Sequence, residues 1–230
     1  MTPRLPDRTV VLGHRGSSAH ARENTIEAFR LAMAQGGAGV ELDVRRTADD
    51  DLVLHHDPEI AGLGQIVGLS ASELPDYVPT LSEALVLLSG AIVNVEIKNS
   101  PAEPDWDPHD GVAERVAQLV SGIPGIVVSS FNPATVVAVG DHAPDVARGL
   151  LLPPGTVIGD VLAEVAATGA WALHPHWSSI DESVVTQVHD AGLAIIAWTV
   201  DNADVIRTLA SWGVDAVISN DVAAAVEALS

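Results

Sequence analysis

Four short motifs near the start of the chain carry side chains that could do acid/base chemistry and neutralise charge. They are His14-Arg15-Gly16, Glu41-Leu42-Asp43, His55-His56-Asp57 and Glu96-Ile97-Lys98. Together they offer two candidate acid/base histidines, His14 and His56, three carboxylates, Glu41, Asp43 and Glu96, and two cations, Arg15 and Lys98. Cleaving a phosphate diester beside a hard metal ion needs such a set. Lys98 is the only lysine, against ten arginines. A sole lysine at the end of a buried-looking strand points to a specific role, although arginine-biased composition could leave one by accident.

Glu41 and Asp43 are two apart on one strand-like run, so the period of two points them to the same side. Two carboxylates at the end of an apolar strand repel each other unless a cation joins them. With Glu96 they form a set of oxygen ligands suited to Mg²⁺ or Ca²⁺, with Mn²⁺ also compatible. The alternative is that Arg45, Arg46 and Lys98 pair with them as salt bridges. His14 closes a strand. Arg15 beside it offers a fork for phosphate oxygens, and Gly16 lets backbone come close. Taken alone, a strand-end histidine such as His14 is more often a structural residue. His55 and His56 are adjacent in an extended segment, so at most one of them faces the site. Trp198 reads either as barrel packing or as a substrate wall, and Trp106 either as a shield for the site or as a surface aromatic. His174 and Ser219-Asn220-Asp221 fall near the same rim. His20, His109, His142, His176 and His189 read as structural or solvated.

The elements that must position these groups are apolar, β-branched runs alternating with Ala/Leu-rich segments. The strand candidates are Val10–Gly13, Gly39–Asp43, Ile92–Ile97, Ile126–Ser129, Ala147–Leu152, Trp171–His174, Ala194–Thr199 and Ala216–Ser219. They are continuous apolar runs, as parallel strands covered on both faces are. Helical patterns fill the intervals at about 25–35, 80–89, 110–121, 133–140, 157–168, 181–190, 202–211 and 221–229. In the first of these, Asn24 is the expected cap with Glu27 completing a capping box, and Gly36-Gly37 ends the helix. Eight such units predict a (β/α)8 TIM barrel, one domain over residues 1–230. An extra short strand, Leu52–Leu54, and a Gly- and Pro-containing loop follow strand two. A doubly wound sheet is disfavoured, because no glycine-rich nucleotide fingerprint follows a strand.

Composition narrows the classes. A net charge of −20 argues against binding nucleic acid or anionic lipid surfaces. A small anion could bind only where local cations or a metal reverse the field. The absence of cysteine excludes disulfides, thiol chemistry and cysteine-based zinc sites. The stretch Met1–Arg8 has no apolar signal segment, and no run is long enough to span a membrane, so the expectation is a cytoplasmic protein without a membrane anchor.

The motifs in this order resemble the glycerophosphodiester phosphodiesterase family. The matching elements are His14-Arg15-Gly16, Glu23-Asn24-Thr25, Glu41-x-Asp43, His56-Asp57, Glu96-x-Lys98, Ser130-Phe131, Trp198-Thr199-Val200 and Gly213-Val214-Asp215, covering nearly the whole chain. The resemblance implies a TIM barrel that hydrolyses small-molecule glycerophosphodiesters to glycerol 3-phosphate and an alcohol. It implies that Glu41, Asp43 and Glu96 hold a divalent metal, that His14 and His56 are general base and general acid, and that Arg15 and Lys98 contact the phosphate. The family's proposed route attacks with the substrate's own 2-hydroxyl and passes through a cyclic phosphate.

This chain departs from the family's usual pattern at Arg22, where proline is common, at Pro58–Gly62, where arginine and threonines are common, and at Ser219-Asn220-Asp221-Val222. These positions bear on the substrate loops, and so on which alcohol leaves. Two competing readings are a lysophospholipase D-like enzyme, which would need an apolar rim or anchor, and a non-catalytic barrel that binds a phosphorylated ligand, which would lack a histidine or carboxylate. The oligomeric state is open.

Overall fold

The computed structural model describes residues 5 and 8–230. The expectation of no signal segment in Met1–Arg8 falls mostly outside the described residues. Among the described residues, eleven strands run in chain order: β1 Val10–His14, β2 Gly39–Arg46, β3 Leu52–Leu54, β4 Glu59–Ile60, β5 Gly64–Gln65, β6 Ile92–Ile97, β7 Ile126–Ser130, β8 Ala147–Leu152, β9 Ala172–Pro175, β10 Ala194–Ala197 and β11 Ala216–Ser219. The helices are α1 Ile26–Ala34, α2 Leu81–Leu87, α3 Gly111–Val120, α4 Pro133–His142, α5 Ile158–Ala167, α6 Glu182–Asp190, α7 Ala203–Trp212 and α8 Val222–Ala228.

The principal sheet runs β1-β11-β10-β9-β8-β7-β6-β2, and β1 also pairs with β2, which closes a ring of eight parallel strands. Helices lie between successive strands, as in the expected TIM barrel. β3 lies outside the ring, antiparallel to β2. β4 and β5 form a small separate hairpin.

Two cores follow from strand alternation. One face of each strand supplies Val11, Val40, Leu42, Val95, Val128 and Leu150 to the layer under the helices. The other supplies Val10, Leu12, Ala172, Ile196, Ala216 and Ile218 to the barrel interior. The interior is therefore apolar at the end where the strands begin, and the polar residues gather where they finish. No described helix is long and apolar enough to cross a membrane.

The strand expected over Ala194–Thr199 ends at Ala197, and that over Trp171–His174 shifts by one residue to Ala172–Pro175. Two further changes bear on the site. β2 continues to Arg46 instead of stopping at Asp43, because Val44 still pairs with Ile97 of the ring and residues 44–46 pair with Leu52–Leu54. The cap of α1 is Thr25, whose hydroxyl accepts from the Ala28 N–H; Asn24 is not the cap. The Asn24 backbone is left-handed, with φ of 55°, and its side chain turns into the barrel mouth.

Candidate active site

The predicted site residues sit at the carboxyl ends of β1, β2 and β6 or just beyond them. Register makes this automatic. His14 is paired across from Glu41, and Asp43 from Glu96. Parallel partners point to the same side, so these side chains project together into the mouth. Ligand-capable oxygens of Glu41, Asp43 and Glu96 lie within 4.8 Å of one another, and all three residues are buried.

Two cations are wedged among these acids. Lys98 Nζ lies 2.9 Å from Asp43 Oδ1 and donates a short hydrogen bond to Glu96 Oε1. Arg15 donates its backbone N–H to Glu41 Oε2 at 2.9 Å, and its Nε lies 3.1 Å from Asp43 Oδ2. The other edge of the Arg15 guanidinium grips Glu23. Arg15 achieves this from a left-handed backbone, φ 56°, a conformation non-glycine residues rarely adopt. The next residue, Gly16, has φ 83°, and a Cβ on it would come 2.6 Å from the Ala28 backbone. Gly16 thus lets the loop press against α1, where the sequence suggested close approach to a ligand. Asn24 braces Asp43 with two bonds: its amide donates to Oδ2 at 2.8 Å, and its carbonyl accepts the Asp43 backbone N–H at 3.1 Å.

The electrostatics separate the three acids. Burial, and then repulsion by Asp43 and Glu96, push the Glu41 carboxyl well above the usual carboxylate range. Burial also raises Glu96, against the pull of Lys98. Asp43 is equally buried, yet Lys98 and Arg15 outweigh burial and hold it far below its ordinary value. Burial works against the Lys98 ammonium, but Glu96 and Asp43 more than compensate and keep it charged. Three carboxylates face two cations, one of them shared with Glu23, and the shortage of positive charge falls on Glu41, which therefore favours its protonated form. Its Oε1 is buried without a hydrogen-bond partner.

His14 and His56 approach from different elements. His14 Nε2 is 4.0 Å from Glu41 Oε2, and its Nδ1 is 2.7 Å from Asn220 Oδ1. Burial, then the neighbouring Arg15 charge, lower the His14 pKa and favour the neutral ring. His56 lies beyond β3 with Nδ1 2.8 Å from Asp57 Oδ1. It lines a cleft of about 330 Å³ together with Glu96, Lys98, Glu103 and Phe131. His55 faces a different, smaller cleft with Arg22 and Tyr77, so only one histidine of the pair reaches the acids.

Trp198 stands across the mouth. Its indole N–H donates to the His174 carbonyl at 2.8 Å, and its ring meets Phe131 and His176 edge-on at 5.4 and 5.2 Å. Trp106 is exposed on its loop.

Several residues behave differently from the sequence expectation. Arg45 and Arg46 take no part in pairing the acids. Arg45 is fully buried against Glu103 and Asp105 and donates to the His56 carbonyl, so it anchors the His56 segment. Arg46 turns to Asp50 and Asp107. His174 is not a rim residue; it is fully buried, with its ring in the space that a side chain on Gly149 would fill. Burial lowers its pKa to about 3, so it is a neutral interior group. Sequence reasoning gave Asn24 only as a helix cap and motif member and His176 as structural or solvated, and it did not see Asn24 as the brace of Asp43, His176 as part of the aromatic wall or Asn220 as a partner of His14. The one available signal was the place of Asn24 within the Glu23-Asn24-Thr25 motif.

Comparison with known proteins gives the family and the fold. Residues 14–224 match the Glycerophosphoryl diester phosphodiesterase family. A glycerophosphodiester phosphodiesterase of Caldanaerobacter subterraneus is 30% identical, over 93% of this chain and 95% of its own. The crystal structure of a Thermotoga maritima glycerophosphodiester phosphodiesterase superposes with a TM-score of 0.81 at 27% identity, covering 95% of this chain and 97% of that one. A phosphodiesterase of Oleispira antarctica, solved with its product sn-glycerol-3-phosphate, has a TM-score of 0.81 at 26% identity and covers 97% and 96%. The chain belongs to the glycerophosphoryl diester phosphodiesterase family.

Proposed function

We propose that this protein is a single-domain, metal-dependent phosphodiesterase that hydrolyses glycerophosphodiesters to glycerol 3-phosphate and an alcohol. The observation that carries the reading is the buried set of Glu41, Asp43 and Glu96, with His14 and His56 approaching it from separate elements. The donor set fits a hard divalent ion such as Mg²⁺, Ca²⁺ or Mn²⁺: all three ligands are carboxylates, and Glu41 Oε1 is a buried acceptor without a partner. When bound there, the ion supplies positive charge to the phosphate oxygens.

The chain's own residues do the rest. Arg15 and Lys98 add positive charge on the phosphate's side of the acids, which is where phosphoryl transfer needs stabilisation. His14, neutral because burial and Arg15 lower its pKa, takes the proton of the glycerol 2-hydroxyl. That oxygen bonds to phosphorus as the bond to the leaving alcohol breaks, and His56 donates a proton to the departing oxygen. A five-membered cyclic phosphate results. In the second half the roles reverse: His56 takes a proton from water, water opens the ring, and His14 returns its proton to the 2-hydroxyl. Trp198 and Phe131 form an apolar wall against the substrate's carbon skeleton.

The test is a pair of substrates that differ only in the glycerol 2-hydroxyl. The intact diester should be cleaved, with a cyclic phosphate visible by ³¹P NMR in single turnover, and the 2-deoxy analogue should not react. Equal turnover of the two would remove the cyclic route.

A further inference from the structure

His14 does not hold its own orientation. Its Nδ1 meets Asn220 Oδ1 at 2.7 Å, and the Asn220 amide is held in turn by Asp201. These three residues come from the carboxyl ends of β1, β11 and β10, which are consecutive in the ring. We propose that Asp201 and Asn220 are positioning residues that fix His14 in the Nδ1–H tautomer and aim its Nε2 lone pair into the mouth. The inference rests on the reading of His14 as the base.

The argument is one of forced donors and acceptors. An ionised carboxylate only accepts hydrogen bonds, whereas a primary amide has a donating end and an accepting end. Asp201 Oδ2 lies 2.7 Å from Asn220 Nδ2, so the NH₂ end must face Asp201. Asp201 Oδ1 also accepts the Asn220 backbone N–H at 2.8 Å and the Ser219 hydroxyl at 2.9 Å, which locks the carboxylate. The accepting end of Asn220 is therefore turned toward His14. There it also receives the Ser18 hydroxyl at 2.8 Å. A carbonyl oxygen cannot donate, so His14 Nδ1 must carry the hydrogen. In the neutral ring Nε2 then has the free lone pair, and Nε2 is the nitrogen on the side of Glu41. The partner of one ring nitrogen sets the state of the other. Here a carboxylate two residues removed from the ring sets it, through an amide that could otherwise flip.

The experiment compares Asn220→Leu, which is close in size but cannot accept, with the double variant Asn220→Asp/Asp201→Asn, which keeps an acceptor beside His14 and restores an amide donor facing it. Asn220→Leu should lower kcat on glycerophosphocholine about 10- to 100-fold, the usual cost of removing the partner that orients a functional histidine, with KM nearly unchanged. The double variant Asn220→Asp/Asp201→Asn should restore most of that loss, whereas Asn220→Asp alone, which sets two carboxylates against each other, should not. ¹⁵N NMR of the His14 ring should show the Nδ1–H form in the wild type and a mixture in Asn220→Leu. Wild-type kcat in Asn220→Leu, or an Nε2–H signature in the wild type, would overturn the assignment. The wild-type spectrum needs no variant to fold and no turnover, so it tests the positioning chain separately from the reading of His14. Full activity of His14→Ala beside an Nδ1–H spectrum would sink the role of the base while leaving the tautomer intact.

Discussion

The two sides of the barrel mouth are built from the same strand ends and do opposite things with them. On the β1–β2–β6 side, Glu41, Asp43, Glu96, Arg15 and Lys98 crowd into one buried ionic cluster. Across from it, β7 to β10 present Phe131, His176 and Trp198 as an edge-to-face aromatic wall. The two strand-end histidines show the consequence. His14 sits in the charged half, has a partner on one nitrogen and keeps the other toward the acids. His174 lies inside the barrel with no hydrogen-bond partner for either nitrogen among the described residues, and burial alone keeps it neutral. Chemistry at a strand end therefore depends on which charges the neighbouring strands bring, more than on the residue type itself.

The largest effect should come from breaking the charged half. Glu41→Gln is expected to weaken binding of Mg²⁺ or Mn²⁺ by more than about 100-fold in calorimetry, beyond what losing an outer-sphere contact costs. Undiminished affinity would remove Glu41 from the ligand set. The same carboxyl fixes a pH dependence. Its raised pKa means that the folded, metal-free protein holds a proton there which the unfolded chain has already lost. Stability of the metal-free protein should fall as pH rises from the ordinary carboxylate value through the raised one. Over that window metal binding should tighten with pH and release a proton, measurable by titrating in buffers of different ionisation enthalpy.

Next come the two histidines that face the acids. His14→Ala or His56→Ala should each cost roughly 10²- to 10⁴-fold in kcat. His174→Leu, on the other side, should leave kcat within about twofold, because it removes buried polar atoms that have no protein partner. If His174→Leu cost as much as His14→Ala, the contrast between the halves would be wrong.

A smaller loss is expected for Lys98→Arg. The charge survives, but a planar, longer group cannot sit between Asp43 and Glu96 as the ammonium does. We expect about a tenfold fall in kcat with the fold intact by circular dichroism. The aromatic half should give the mildest change. Trp198→Ala is expected to raise KM by up to about tenfold through lost apolar contact, with metal affinity unchanged. A large fall in metal affinity in that variant would mean the two halves are not separable.

The barrel and the acids were legible in the sequence because both are written locally. Ile92–Ile97, Ala147–Leu152 and Ala216–Ser219 are strands at the boundaries their apolar runs suggest. Glu41 and Asp43 share a face through period-two spacing alone. What was not legible depends on distant partners. Arg45 and Arg46 read from the sequence as possible partners of the three acids, yet Arg45 is fully buried because Glu103 and Asp105 arrive from another segment. Asn24 and Thr25 are both good caps by type, and only the tertiary bond to Asp43 shows why Asn24 is spared that duty. Asn220 reaches His14 across 206 positions of sequence, a separation at which no local pattern survives.

The central claim is that this carboxylate cluster drives phosphodiester cleavage through a divalent ion. Its most direct test is release of glycerol 3-phosphate from glycerophosphocholine by protein stripped with EDTA, before and after adding Mg²⁺, Ca²⁺ or Mn²⁺. The account predicts no product from the stripped protein and turnover restored by at least one of these ions. Equal turnover with and without metal, from protein shown to be folded and metal-free, would contradict it.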